Sequence, residues 1–291
     1  MPLAILRITD PGCPFAWSAE PAMAVLASRY GSQIDWSLAM IGLAEDGAIY
    51  VERGYDGTAM ARSQATFSRR FGMPVTTEAR TRPLATWPAC RVVVATRLAA
   101  PEREAAVQRA LQVAWFTTTG DLERDDVLTE AIASVPGVDA EAIVHSARND
   151  DAVSEAFARD RETARSAAGS PTEAQGKHAM DGDVARYTAP SLLMTDRAGR
   201  PLEAGGFQPV EAYDLIIANA DPTLERRVPT DALEVLGSAD WPLCTAEIAA
   251  ALASPLEPPD IAAVEQELIG LAADGRLEAT AAGNGVFWSL A

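Results

Sequence analysis

A short apolar run over Leu3–Thr9 predicts a first strand, and from residue 34 apolar and polar positions alternate before Ile-Asp-Trp-Ser-Leu-Ala-Met-Ile-Gly-Leu becomes continuously apolar by residue 43, as a strand entering a core does. Between these runs, residues 16–30 have helical period, with Trp17, Met23, Val25, Leu26 and Tyr30 placed to pack inward. Pro21 lacks the N–H that would bond the Trp17 carbonyl, so a kink is predicted there. The opening of the chain is therefore a strand–helix–strand unit. Strand signals vanish from about residue 58 to 168, and Ala-rich sequence predicts helices over 89–99, 102–116, 125–134 and 152–165. A block of that length fits a lid or subdomain better than a set of crossovers, with Trp115 and Phe116 in its core. Strands return at 191–194 and Pro201–Ala204 around a turn at 196–200, and a helix follows over 210–219.

Past a linker-like stretch at 221–229, helices are predicted at 230–236, Thr245–Leu252 and 259–273. Two short strands, 276–280 and 286–289, flank Gly283-Asn284-Gly285. This order resembles a winged helix-turn-helix. A wing that reads DNA needs positive charge, yet residues 241–291 carry one arginine, Arg276, against seven acids. Nucleic acid is disfavoured as a partner. Packing against the rest of the chain, a homodimer contact or protein recognition remains, with Val286, Phe287 and Trp288 buried in consequence.

The 291 residues suffice for about two domains, and 48% hydrophobic with 22% charged residues is ordinary for a globular protein. A formal charge of −17 opposes binding to polyanions and anionic membranes. There is no basic leader followed by an apolar stretch, and no window approaches the ~18 apolar residues of a membrane span. A cytoplasmic protein without membrane association is expected. Cys13, Cys90 and Cys244 are far apart and odd in number, which fits a reducing compartment, and His145 and His178 have no metal-ligand spacing to any of them. No metal is expected.

Chemistry concentrates at Cys13, in Asp10-Pro11-Gly12-Cys13-Pro14-Phe15-Ala16-Trp17, where a strand delivers a thiol onto a helix start. Free N–H groups and the helix dipole there can lower a cysteine pKa from about 8.5 to roughly 3.5–7.5. Asp10 opposes ionisation slightly. A Cys-x-x-Cys pair would put its second sulfur at Ala16, so Cys13 works with one sulfur or borrows another. The competing reading is a buried core cysteine in a scaffold without chemistry.

The same run, continued by Glu20-Pro21-Ala22, together with Thr188-Ala189-Pro190-Ser191, resembles the active-site turn and cis-proline loop of the DsbA family in the thioredoxin-like superfamily. The similarity is strongest to the subgroup of FrnE-like and 2-hydroxychromene-2-carboxylate isomerase-like proteins and spans roughly residues 1–220. It implies an α/β chain, with a thioredoxin-like domain from 1–57 and 169–220 around a helical insertion at 58–168; the winged-helix-like domain at 229–291 lies outside this similarity and rests on its own order of elements. The similarity further implies that Cys13 is the nucleophile, that Pro14, Phe15, Ala16 and Trp17 shape the substrate site, and that Ala189–Pro190 faces the sulfur; Pro190, at the head of a strand, is a candidate for a cis bond. Without a second cysteine, a monothiol cycle remains. No cofactor is tightly bound; glutathione, mycothiol or a similar small thiol resolves the intermediate, and the substrate is a small or protein disulfide. Cys90 is the internal candidate for a resolving thiol, and His178 a candidate proton donor or thiolate partner; His145 is read as structural. Two other functions stay open: an isomerase or transferase that uses a bound thiol, and a non-enzymatic binding or regulatory module acting through its C-terminal domain.

Overall fold

The computed structural model describes residues 1–291. Strand β1 (Leu3–Thr9) leads through α1 (Pro14–Ser18) and α2 (Glu20–Tyr30) into β2 (Ile34–Met40). Seven helices follow: α3 (Ala48–Glu52), α4 (Gly57–Phe71), α5 (Trp87–Ala99), α6 (Glu104–Thr117), α7 (Asp125–Ile132), α8 (Ala140–Asn149) and α9 (Asp151–Ala164). The one-turn α10 (Pro171–Ala174) precedes a small hairpin of β3 (Ala179–Asp181) and β4 (Val184–Arg186). Then come β5 (Ser191–Thr195), β6 (Pro201–Ala204) and α11 (Val210–Ala220). The C-terminal part is α12 (Ala232–Gly237), β7 (Leu243–Cys244), α13 (Thr245–Leu252), α14 (Ile261–Ala273), β8 (Leu277–Ala282) and β9 (Gly285–Leu290).

The main sheet has the order β2-β1-β5-β6, with β1 parallel to β2 and antiparallel to β5. This is the thioredoxin-like arrangement. The inner strand β1 feeds both faces: Ile5 packs with Leu26, Tyr30, Tyr213 and Ile217 from α2 and α11, while Ile8 lies on the face that holds Cys13. In the C-terminal part the three helices accompany a three-stranded sheet of order β7-β9-β8.

Several boundaries differ from the sequence reading. In place of one helix kinked at Pro21 there are two, divided at Ala19, and Pro21 is the second residue of α2, where an N–H has no partner to lose. Strand β2 stops at Met40 because the chain turns at Gly42 (φ 61°), whose side a Cβ could not occupy: it would lie 2.8 Å from Phe157 Cζ. Helices α3, α4, α8 and α10 and strands β3, β4 and β7 were absent from the sequence reading; apart from α4 and α8, each is five residues or fewer, too short to show a period. Helix α13 begins at Thr245 as expected, and Cys244 holds its cap position. Glu247 reaches back to accept from the Cys244 N–H at 2.7 Å.

The helical insertion is not walled off from its neighbours. Val93, Leu111 and Phe116 belong to one continuous core with Trp17 of α1 and Phe287 of β9. A buried ionic network crosses the same junction: Arg7 meets Glu20 at 2.6 Å, and Arg109 of α6 meets Glu247 of α13 at 2.6 Å and lies 3.9 Å from Glu20. Phe287 and Trp288 are buried and Val286 half-buried. No helix is long and apolar enough to cross a membrane.

Candidate active site

The turn from β1 to α1 is built on Asp10. Its backbone carbonyl accepts the Cys13 N–H at 3.1 Å and its carboxylate accepts the Gly12 N–H at 2.8 Å, closing the loop on itself. Gly12 is required by close approach, since a Cβ there would fall 2.7 Å from the Trp115 ring. Cys13 caps α1 with extended backbone, and Pro14 occupies the first helical position, whose N–H would be free in any case. The Ala189–Pro190 peptide is cis, and the Cys13 thiol donates to the Ala189 carbonyl at 3.4 Å.

The thiol is not activated as the sequence suggested. Burial pushes the Cys13 pKa up to about 12, Asp10 pushes the same way, and the N–H groups of Ala16 and Phe15 and the more distant Arg186 only partly offset this. Two features explain the reversal. Cys13 is 5% exposed, and the helix it heads has five residues, which gives a small dipole to stabilise charge.

Beneath the thiol, the Asp10 carboxylate also accepts from the Leu43 N–H (2.9 Å), the Thr86 hydroxyl (2.9 Å) and the Cys90 thiol (3.4 Å). Cys90 therefore reaches Asp10 and makes no bond to Cys13; it is a buried free thiol whose pKa burial and Asp10 raise further. His178 stands near the proline loop, because the carbonyl of its neighbour Lys177 accepts from Thr188 Oγ1 at 3.0 Å. Its own Nδ1 is buried without a partner, and no hydrogen bond joins it to Cys13.

The four residues after Cys13 separate into two groups. Pro14 and Phe15 face a cavity beside the turn, and Phe15 is 47% exposed, with its ring 4.9 Å from Phe67 and 6.1 Å from Phe207. Ala16 is fully buried, and Trp17, at 2% exposure, is a core residue rather than a substrate contact. Its indole donates to the Pro74 carbonyl at 2.9 Å and stacks on Phe116 at 5.4 Å. Tyr50, Arg80 and Arg186 were missed. They lie in a short helix, an irregular stretch and a three-residue strand, where no periodicity or motif singles them out.

No protein-family model matches the chain, and no curated protein sequence matches it. Solved structures do. A candidate protein disulfide isomerase from Nitrosomonas europaea is 17% identical with a TM-score of 0.56, over 75% of this chain and 97% of that one. The cytosolic disulfide reductase DsbM from Pseudomonas aeruginosa, also solved with GSH, is 16% identical with a TM-score of 0.53, over 75% and 98%. A probable DsbA oxidoreductase from Streptomyces coelicolor is 16% identical with a TM-score of 0.53, over 79% and 94%. At these identities the chain shares their DsbA-like, thioredoxin-type fold.

Proposed function

We propose that this protein catalyses thiol–disulfide exchange through one cysteine, Cys13, with a low-molecular-weight thiol completing each turnover. The observation that carries the reading is the meeting of the Cys13 sulfur, at a strand-to-helix turn, with the carbonyl of a cis Ala189–Pro190 peptide. The fold shared with DsbM, a cytosolic disulfide reductase solved with GSH, supports it, and three free cysteines fit a reducing, cytoplasmic setting.

In the first step the Cys13 thiol loses its proton and attacks one sulfur of a disulfide. The Cys13 mixed disulfide forms, and the departing thiolate takes up a proton. A second small thiolate then attacks the mixed disulfide, releases a new disulfide and restores Cys13. Burial keeps the resting thiol protonated, so attack is slow at neutral pH and speeds up as pH rises. The exposed Phe15 and the Ala189–Pro190 loop flank the arriving substrate.

Reduction of bis(2-hydroxyethyl) disulfide by glutathione tests the cycle. Catalysis should vanish in Cys13→Ala, and intact mass should show the adduct on Cys13 alone in a Cys90→Ala, Cys244→Ala background. Undiminished turnover by Cys13→Ala would refute the proposal. The burial and raised pKa of Cys13 favour a second reading, in which a bound thiol acts as cofactor for isomerisation or transfer and residue 13 positions it. Tight glutathione binding with no mixed disulfide at any pH would select that one.

A further inference from the structure

A cavity of about 430 Å³ lies beside the Cys13 turn, with Gly12, Pro14 and Phe15 on one wall and the segment from Tyr50 to Leu84 on the other. The Cys13 sulfur is turned to Ala189 and does not itself line the cavity, whose near wall is the turn that carries it. In a chain of formal charge −17, this wall carries three arginines, Arg53, Arg80 and Arg82, and a single acid, Glu78.

The three cations are not equivalent. Arg82 is neutralised by Glu123 at 2.7 Å and Asp121 at 3.0 Å. Arg80 donates only to backbone carbonyls, those of Trp115, Thr118 (2.9 Å) and Gly120 (3.3 Å), and lies 5.6 Å over the Trp115 ring. No carboxylate pairs with it, and burial lowers its pKa to about 10 despite Asp121. Arg53 is exposed and takes part in no ion pair. A desolvated guanidinium facing a cavity without a counter-ion favours an anion, and since Nε and Nη2 are committed to the carbonyls, Nη1 is the group left to donate to it. Tyr50 and Tyr55 supply aromatic surface in the same cavity.

We infer that the cavity holds the carboxylate end of the small thiol or disulfide, with Arg80 and Arg53 as the anion-recognising residues. The inference rests on the exchange reading for Cys13. It assigns the partner to carboxylate-bearing thiols such as glutathione and excludes uncharged ones such as mycothiol.

Calorimetric binding of S-methylglutathione to the full-length Cys13→Ser protein tests it, because that thioether cannot exchange. Binding is expected, with affinity falling about tenfold or more in Arg80→Gln and on esterification of both ligand carboxylates, the loss of one or more charge-assisted hydrogen bonds. Arg80 also ties three carbonyls, so Arg53→Gln, at an exposed and unpaired site, is the variant whose folding is not at stake; a several-fold loss is expected. Absence of binding, or a diester that binds as well as the diacid, overturns the inference. So does unchanged affinity in Arg53→Gln and in folded Arg80→Gln. The two readings fail separately: a protein that exchanges bis(2-hydroxyethyl) disulfide through Cys13 without carboxylate preference keeps the activity and loses the site. One that binds the diacid but never forms a mixed disulfide keeps the site and loses the activity.

Discussion

Asp10 and Glu20 are both carboxylates withdrawn from solvent, ten residues apart, yet their protonation is driven in opposite directions. Burial raises the pKa of Asp10, and the four groups that donate to it are all neutral, so they only partly compensate. Burial acts on Glu20 as well, but Arg7 and Arg109 outweigh it and hold the carboxyl below its ordinary value. The difference is a cation. At the junction of sheet, insertion and C-terminal part, charge is neutralised and serves cohesion. Under the thiol, an uncompensated acid is retained, and it contributes to the raised pKa of Cys13.

The largest effect should come from the compensated side. Arg109→Met leaves Glu247 buried without its 2.6 Å partner and Glu20 with Arg7 alone, and should cost about 3–5 kcal/mol in chemical denaturation, the usual penalty for orphaning a buried charge. A loss near zero would mean that this network does not hold the three parts together. On the other side, Asp10→Asn turns an amide NH₂ toward groups that are themselves donors, at a cost of about 1–3 kcal/mol. The same substitution removes the charge that opposes ionisation of Cys13. The pH midpoint of Cys13 alkylation, read in a Cys90→Ala, Cys244→Ala background, should therefore move down. An unmoved midpoint would show that burial alone sets the thiol.

The contrast was half visible in the sequence. The apolar run at β1 and the alternating one at β2 predicted the opening strand–helix–strand unit, and the resemblance carried by the Asp-Pro-Gly-Cys-Pro turn and the Thr-Ala-Pro-Ser loop set Ala189–Pro190 against Cys13, although Pro190 is 177 positions from it. Burial of Phe287 and Trp288 was also expected, from the apolar run that ends an otherwise acidic C-terminal part, and both are buried. What stayed hidden was set by tertiary burial. Trp17 reads equally as pocket or core until Phe116 is found stacked on it. Cys13 at a helix start reads as a thiolate until α1 proves to be five residues long and the sulfur enclosed. Asp10 looked like a weak modifier because Leu43, Thr86 and Cys90, which converge on it, come from segments 33 to 80 positions away.

The smallest effect gives the sharpest test, because it predicts opposite signs. Glu20, with a depressed folded pKa, contributes stability above its ordinary value of 4.5, and that contribution is lost as pH falls through the folded value. Asp10, with a raised folded pKa, contributes most when protonated, below its ordinary value of 3.8, and loses that contribution as pH rises through its folded value. Melting temperatures of the wild type, Glu20→Gln and Asp10→Asn, taken from about pH 4 to pH 7, separate the two. The advantage of the wild type over Glu20→Gln should widen with rising pH, and its advantage over Asp10→Asn should narrow. Parallel slopes would break the comparison, since they would mean that both carboxylates are neutralised alike and that nothing distinguishes the acid beneath the thiol from the one at the junction.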